Sequence, residues 1–221
     1  MSDESVSPPA NRWVKAWPDA LAFVAGLALA WFNEWQTKDL VWSLWLSSLL
    51  VGYAMIVWDI FRMPVPALNS TLATPPVSSP MLGGGLVFGG RLFLLAFFTF
   101  HFGMFHFVHA AFLNGFFPVE AGHKGFPNLQ LFLHVLADYW PFVLVTAIAE
   151  RKAFRRVPDM VKGGGLMQPY KNVVRLHLLI FFFALTSFMH LHNFLIYAAV
   201  YAVYFFPWRL VGKQEAESGK L

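Results

Sequence analysis

The feature that most constrains the fold is an apolar run of 27 residues, from Arg91 to Phe117, which reads RLFLLAFFTFHFGMFHFVHAAFLNGFF. A helix needs about 20 such residues to cross a bilayer. The run also contains three histidines, His101, His106 and His109. At about 100° per residue they share one helix face, so we expect all three to point into the protein interior. Polar side chains at membrane depth are costly and usually functional, so this helix is where a site is predicted.

The composition also indicates a membrane protein. Hydrophobic residues make up 57% of the chain and charged residues only 13%, whereas a soluble domain carries about 25% charged residues. The chain contains no cysteine, which excludes disulfides, iron–sulfur clusters and thiolate ligands. Its positive charges lie in loops beside apolar runs, where they determine orientation, and nucleic acid is not an expected partner.

Hydropathy predicts an all-α, polytopic transmembrane helix bundle with six spans and with the lipid bilayer as its surroundings. The six-helix domain is predicted at 18–211, between tails at 1–17 and 212–221. Its spans are placed at 18–35, 40–61, 92–117, 129–149, 173–189 and 194–210.

The distribution of Lys and Arg predicts the orientation. Alternating the six spans puts 14 of the 16 Lys and Arg residues on one side, and the side rich in positive charge is cytoplasmic. Both termini and two long loops are therefore predicted in the cytoplasm. Each loop contains a run of three glycines, at 83–85 and at 163–165, and we expect these runs to be connectors and 63–80 to be irregular.

Depth divides the polar residues of the spans into two groups. With a rise of about 1.5 Å per residue from Arg91, His101 lies near the midplane and His106 and His109 in the outer half. The inner, cofactor-binding group is predicted to contain His101, Asp138 and His177. The outer, metal-binding group is predicted to contain His106, His109, His134 and His190, with His192 and His123 nearby.

The outer group favours a transition metal, because imidazole binds Zn, Cu and Fe. His106 and His109 lie on adjacent helical turns and can approach one ion, with His134 or His190 completing the ligands. The alternative is that these histidines form hydrogen bonds between helices, as polar side chains in membrane bundles often do.

The inner group leaves two further functions open. Haem or another pigment needs an axial histidine and an apolar, aromatic pocket, which the phenylalanine-rich spans supply. A proton or ion pathway through His101, Asp138 and His177 is the other function. No catalytic residue is predicted, because the sequence lacks Gly-x-x-x-x-Gly-Lys, Gly-x-Ser-x-Gly and His-Glu-x-x-His. A structural or accessory subunit of a larger membrane complex, or a homo-oligomer, is the competing class.

Two segments resemble the motifs of an uncharacterised bacterial family of multi-pass membrane proteins, a domain of unknown function. HFGMFHFVH, from His101 to His109, resembles H-[YF]-G-x-F-x-x-G-H, and PYKNVVRLH, from Pro169 to His177, resembles P-Y-G-R-x-x-x-L-H. The resemblance covers about 89–208. It implies a six-helix inner-membrane protein in which His101, His109 and His177 are the residues of interest.

The chain departs from these motifs at three places. Val108 stands where the motif has glycine, and Lys171 and Asn172 replace its Gly-Arg pair. Asp138 stands where a histidine of the fourth helix is expected, so the resemblance implies that this carboxylate takes over that role. It implies no reaction or substrate.

Overall fold

The computed structural model describes residues 10–72, 80–119, 125–155 and 168–188, together with residue 202. Every regular element in this part of the chain is a helix, so the predicted all-α class is confirmed there. The helices are α1 Ala10–Phe32, α2 Thr37–Arg62, α3 Val65–Leu72, α4 Pro80–Phe116, α5 Leu129–Ala149, α6 Arg151–Arg155 and α7 Gln168–Phe188.

Three of these helices are long and apolar enough to cross a membrane: Thr37–Arg62, Gly84–Phe116 and Leu129–Ala149. They coincide with the second, third and fourth predicted spans. A shorter apolar helix, Ala20–Phe32, occupies most of the first, and α7 covers most of the fifth. The sixth, at 194–210, lies outside the described residues except for 202. The count of six spans and the cytoplasmic termini stay predictions.

Helix α2 is the centre of the bundle. It packs against α4, α5 and α7, while α1 packs on α5. In its most apolar window 61% of the residues are buried, against 17% for α4 and 22% for α5. A helix that is apolar around most of its circumference belongs in the interior. Among the described helices, α4 and α5 make their main contacts with α2 and not with each other.

Hydrogen bonds at both ends of α2 show that α4 runs antiparallel to it. The Trp42 indole Nε1 donates to the Phe117 carbonyl oxygen at 2.7 Å. At the other end Arg91 Nη2 donates to the Met63 carbonyl oxygen at 3.1 Å. From Trp42 to Met63 the chain advances 21 residues, or about 31 Å of helix, which matches a hydrocarbon core of about 30 Å.

The first turn of α2 is joined to α5 through Asp39. One carboxylate oxygen accepts the backbone N–H of Gln36 at 2.7 Å, and the other accepts the Tyr139 hydroxyl at 2.6 Å. The Trp35 ring lies edge-on to the Tyr139 ring at 5.5 Å. Asp39 therefore caps α2 and orients α5 at the same time.

The connection between the second and third spans differs from the prediction. The segment expected to be irregular contains α3, and Gly83, Gly84 and Gly85 belong to helix α4 and not to a loop. Pro80 opens α4, a position that suits its fixed φ. Glycine is tolerated in such a helix because backbone groups in an apolar setting must pair internally. The second glycine run, 163–165, lies outside the described residues.

Gly52 is where α2, α4 and α7 meet. A Cβ atom added to Gly52 would lie 2.8 Å from Cζ of Phe102 and 3.5 Å from Cβ of Pro169. The Phe102 side chain is fully buried. Since carbon atoms do not approach to 2.8 Å without repulsion, the absence of a side chain at Gly52 lets Phe102 pack on the α2 backbone.

Gly52→Val is expected to lower the free energy of unfolding by about 1–3 kcal/mol, because the added side chain overlaps Phe102. Thermal unfolding of the detergent-purified protein measures this. Ala54→Val is the matched control, because Ala54 lies on the exposed side of the same helix. Equal melting temperatures for the two variants would contradict close packing at Gly52.

Tyr139→Phe is expected to lower the free energy of unfolding by about 1.5–3 kcal/mol, since it removes a hydrogen bond to a carboxylate. Tyr53→Phe removes a neutral bond, between the Tyr53 and Thr99 hydroxyls at 2.8 Å, and is expected to cost about 0.5–1.5 kcal/mol. Denaturant titration compares them. The role of Asp39 would be wrong if Tyr139→Phe were no more destabilising than Tyr53→Phe.

Candidate functional site

The three histidines of α4 do not share one environment. His106 and His109 are buried, with 1% and 2% of their surface exposed, whereas His101 is exposed. The expectation that all three point into the interior therefore holds for two. Helix α2 covers the α4 face that carries Phe102 and His106, and His101, one residue earlier, lies about 100° away from Phe102.

His106 joins α4 to α2 through hydrogen bonds. Its Nδ1 donates to the Phe102 carbonyl oxygen at 3.0 Å, and its Nε2 lies 3.1 Å from Oγ of Ser48. Because a carbonyl oxygen only accepts, Nδ1 carries the hydrogen and, in the neutral ring, Nε2 accepts from Ser48. The Trp45 indole donates to the His106 carbonyl oxygen at 2.9 Å. Both ring nitrogens thus take part in helix packing, as the alternative reading of these histidines expects.

His109 adopts the same tautomer. Its Nδ1 donates to the Phe105 carbonyl oxygen at 2.7 Å, and its ring centroid lies 6.1 Å from that of His106. A carbonyl bound to one imidazole nitrogen is usual where the other nitrogen binds metal. However, the described residues contain no group of three or more His, Asp or Glu side chains that could hold a metal ion. Among the described residues, the predicted metal site is therefore not supported.

His134 lies with Asp138 and not with the α4 histidines. His134 Nε2 is 3.2 Å from Oδ2 of Asp138, and the two side chains are 41% and 47% exposed. They follow one another by a single turn of α5, on a helix whose main contacts are with α2 and α1. No contact within the described ranges joins Asp138 to His101.

The remaining predicted site residues lie partly or wholly outside the described residues. His177 belongs to α7, but its side chain is not among those described. His190, His192 and His123 fall outside altogether. Their assignment to the inner or outer group stays a prediction.

His101 lies in an aromatic surface between α4 and α7. Its ring is parallel to Phe97 at a centroid distance of 5.5 Å, edge-on to Phe105 at 5.1 Å and tilted against Tyr170 at 5.8 Å. These ring contacts are its only interactions with side chains in the described ranges, so neither ring nitrogen has a hydrogen-bond partner there. Of the three α4 histidines, His101 alone has an imidazole without a hydrogen bond to the described part of the chain.

Tyr170 is the second polar group of this site. Its hydroxyl oxygen is buried and has no hydrogen-bond partner among the described residues. Pro169 packs at Gly52, and the Phe102 ring lies edge-on to Tyr170 at 5.7 Å, so the junction of three helices positions the phenol. We call His101, Tyr170, Phe97 and Phe105 the His101 site. Tyr170 was not predicted as a site residue, although its motif segment was noticed.

The His101 site lies at the middle of the membrane-spanning region. His101 follows Arg91 by ten residues, and Gly52, which packs beside Phe102, precedes Arg62 by ten residues. Each separation corresponds to about 15 Å along a helix, half of the hydrocarbon thickness. In a bilayer crossed by these two helices, the head groups would lie about 15 Å from this imidazole on either side.

Comparison with known proteins leaves the activity open. No curated protein matches the chain, and no solved structure matches it. Among protein-family models, a family of unknown function (DUF6498) matches residues 5–206, a longer range than the motif resemblance at 89–208. The chain therefore belongs to this family of unknown function.

Proposed function

We propose that this protein is a multi-pass protein of the bacterial inner membrane that binds a flat, hydrophobic cofactor at the His101 site, and that the cofactor is a haem. One observation carries the proposal. An imidazole at mid-depth of a membrane-spanning helix has both ring nitrogens without a hydrogen bond in the described part of the chain.

An imidazole without a hydrogen-bond partner at this depth costs free energy. A polar group without a hydrogen-bond partner in hydrocarbon is unfavourable by several kcal/mol. An ionisable side chain at this depth therefore indicates a ligand-binding site or a proton relay. Phe97 and Phe105 cannot pair with the imidazole nitrogens. The Tyr170 hydroxyl, buried and without a partner, adds a second unsatisfied group beside the first.

The chemistry of the residues favours a tetrapyrrole over a small polar ligand. A neutral imidazole nitrogen is the usual axial ligand of haem iron, and the macrocycle needs apolar, aromatic walls. His101 would ligate the iron, the parallel ring of Phe97 would fix the plane of the imidazole, and the Tyr170 hydroxyl would donate to a polar atom of the cofactor. When bound, haem would supply an iron centre capable of electron transfer or of binding a small molecule.

A bare Zn, Cu or Fe ion is the second candidate. The observation that favours it is the Nδ1–carbonyl bond of His109, which makes its Nε2 the basic nitrogen. Nε2 of His106 could join only by exchanging its hydrogen bond with Ser48 for the metal. The remaining ligands would have to come from residues outside the described ranges, such as His190. This site would occupy the α2–α4 interface and not the surface of the His101 site.

The protein purified from cells supplied with a haem precursor is expected to show a Soret band and bound iron. His101→Ala should abolish the band, because it removes the α4 imidazole that has no hydrogen bond within the described residues. It should leave the melting temperature of the cofactor-free protein unchanged. His134→Ala, which removes another exposed imidazole, is the matched control and should retain the band. Tyr170→Phe should shift the band or weaken haem retention.

Three outcomes would overturn the haem proposal. The first is a colourless protein that also fails to bind added haemin. The second is stoichiometric metal without a Soret band, lost in His109→Ala but retained in His101→Ala, which would establish the bare-metal site instead. The third is a colourless protein that co-purifies with other membrane polypeptides, as an accessory subunit does.

A further inference from the structure

Short helix α6 is held against the last turn of α2 by one shared acceptor. Trp58 Nε1 and Arg62 Nη1 both donate to the Phe154 carbonyl oxygen, at 2.7 Å and 2.6 Å. Three of the five residues of α6 are basic. The two hydrogen bonds therefore place these charges beside Arg62. We call Trp58, Arg62, Arg151, Lys152 and Arg155 the α2–α6 patch.

The α2–α6 patch lies at one edge of the membrane-spanning region. It surrounds the end of α2 where Arg91 also reaches the Met63 carbonyl, about 30 Å of helix away from Trp42. Trp58 and Arg62 are exposed, and the Arg62 guanidinium carbon lies 5.4 Å from the centroid of the Trp58 ring. Tryptophan and arginine are enriched at the membrane–water interface, where the apolar ring of tryptophan lies near the charged head groups of the lipids.

The surface of the patch is positively charged. Four basic residues, Arg62, Arg151, Lys152 and Arg155, lie within segments 58–62 and 150–155, against two acidic residues, Asp59 and Glu150. Asp59 is only 6% exposed, but its carboxylate interacts with the charge of Arg62 and offsets part of it. Four basic against two acidic residues leave these segments with a net positive charge.

Hydrogen bonds orient the guanidinium groups of Arg62 and Arg151. Arg62 uses Nη1 for the Phe154 carbonyl, and a guanidinium has five N–H donors in all. Arg151 Nη1 donates to the Ile148 carbonyl oxygen at 2.7 Å, which fixes its head at the end of α5. Arg155 is exposed. A guanidinium group can donate two parallel hydrogen bonds to two oxygens of one phosphate group.

We propose that the α2–α6 patch binds the head group of an anionic phospholipid, with the phosphodiester on Arg62 and Arg155. The acyl chains would lie along the exposed rings of Trp58 and Phe61. Basic pockets between helices at the membrane edge bind such lipids. The adjacent apolar rings would contact the acyl chains of a lipid but would add nothing to the binding of a soluble anion. This inference does not depend on the His101 site, which lies at mid-depth.

Tryptophan quenching in lipid nanodiscs tests the proposal. The protein is placed in phosphatidylcholine nanodiscs that contain a small fraction of either brominated phosphatidylglycerol or brominated phosphatidylcholine. The Trp58 signal is the difference between the wild type and Trp58→Phe. It should be quenched several-fold more strongly by the anionic lipid, because that lipid is concentrated at the patch.

Removing charge should remove this preference. Arg155→Gln, whose side chain has no described hydrogen bond to lose, should lower the affinity for phosphatidylglycerol by about fivefold, and the pair Arg62→Gln and Arg155→Gln by more. Lys38→Gln removes a positive charge at the opposite end of α2 and should change nothing. Native mass spectrometry of lipid retained by each variant gives the same comparison without fluorescence.

Several results would overturn the inference. One is equal quenching by both lipids in the wild type. Another is an anionic preference that Arg155→Gln and the double variant leave intact. A third is displacement of the lipid by millimolar glycerol phosphate, which would indicate a site for soluble anions.

Discussion

The burial of α2 on several sides is the constraint on which the rest of the structure depends. Each neighbouring helix contacts α2 through different residues. Asp39 accepts the Tyr139 hydroxyl of α5, and Trp45 and Ser48 bond to His106 of α4. Gly52 provides room for Phe102 of α4 at the point where Pro169 of α7 also makes contact. Trp58 and Arg62 hold α6. Since lipid offers no hydrogen bonds, these directed contacts determine which helices surround α2 and in what register.

The same constraint explains why the histidines of α4 differ. The face of α4 that meets α2 carries His106 and His109, and their Nδ1 atoms are bonded to carbonyls one turn earlier. His101 lies on a different face, against the rings of Phe97, Phe105 and Tyr170. Within the described residues, hydrogen bonds engage two of the imidazoles, and the third, that of His101, is the one proposed to bind a ligand. The family resemblance had marked His101 and His109 without distinguishing them.

Much of the fold could be predicted from the sequence. Hydropathy found the helices around α2, α4 and α5, because a run of about 20 apolar residues has few alternatives to a spanning helix. Hydropathy does not say which helices are neighbours, so α2 was not recognised as the centre and Asp138 was grouped with His101. The length of α4 was missed because Gly83, Gly84 and Gly85 were read by their behaviour in soluble loops.

The site could be predicted only in part. The helical rise counted from Arg91 placed His101 at mid-depth. Periodicity placed it on the interior face with His106 and His109, but which part of that face is covered depends on the positions of α2 and α7, which no local pattern encodes. Tyr170 was missed because a tyrosine near a helix start carries no signal of its own, and its buried hydroxyl is apparent only in three dimensions. Ser48 and Trp45, which engage His106, were missed for the same reason.

Nitrogen-15 NMR of the histidine rings, in protein labelled only at histidine and embedded in nanodiscs, tests the central claim most directly. Substituting each histidine in turn assigns the signals. His106 and His109 are expected to remain the Nδ1–H tautomer, with shifts that do not change when haemin is added, whereas the signals of His101 should change. Unaltered signals for His101, together with a response from His106, would contradict the division of the α4 histidines into structural and ligand-binding groups.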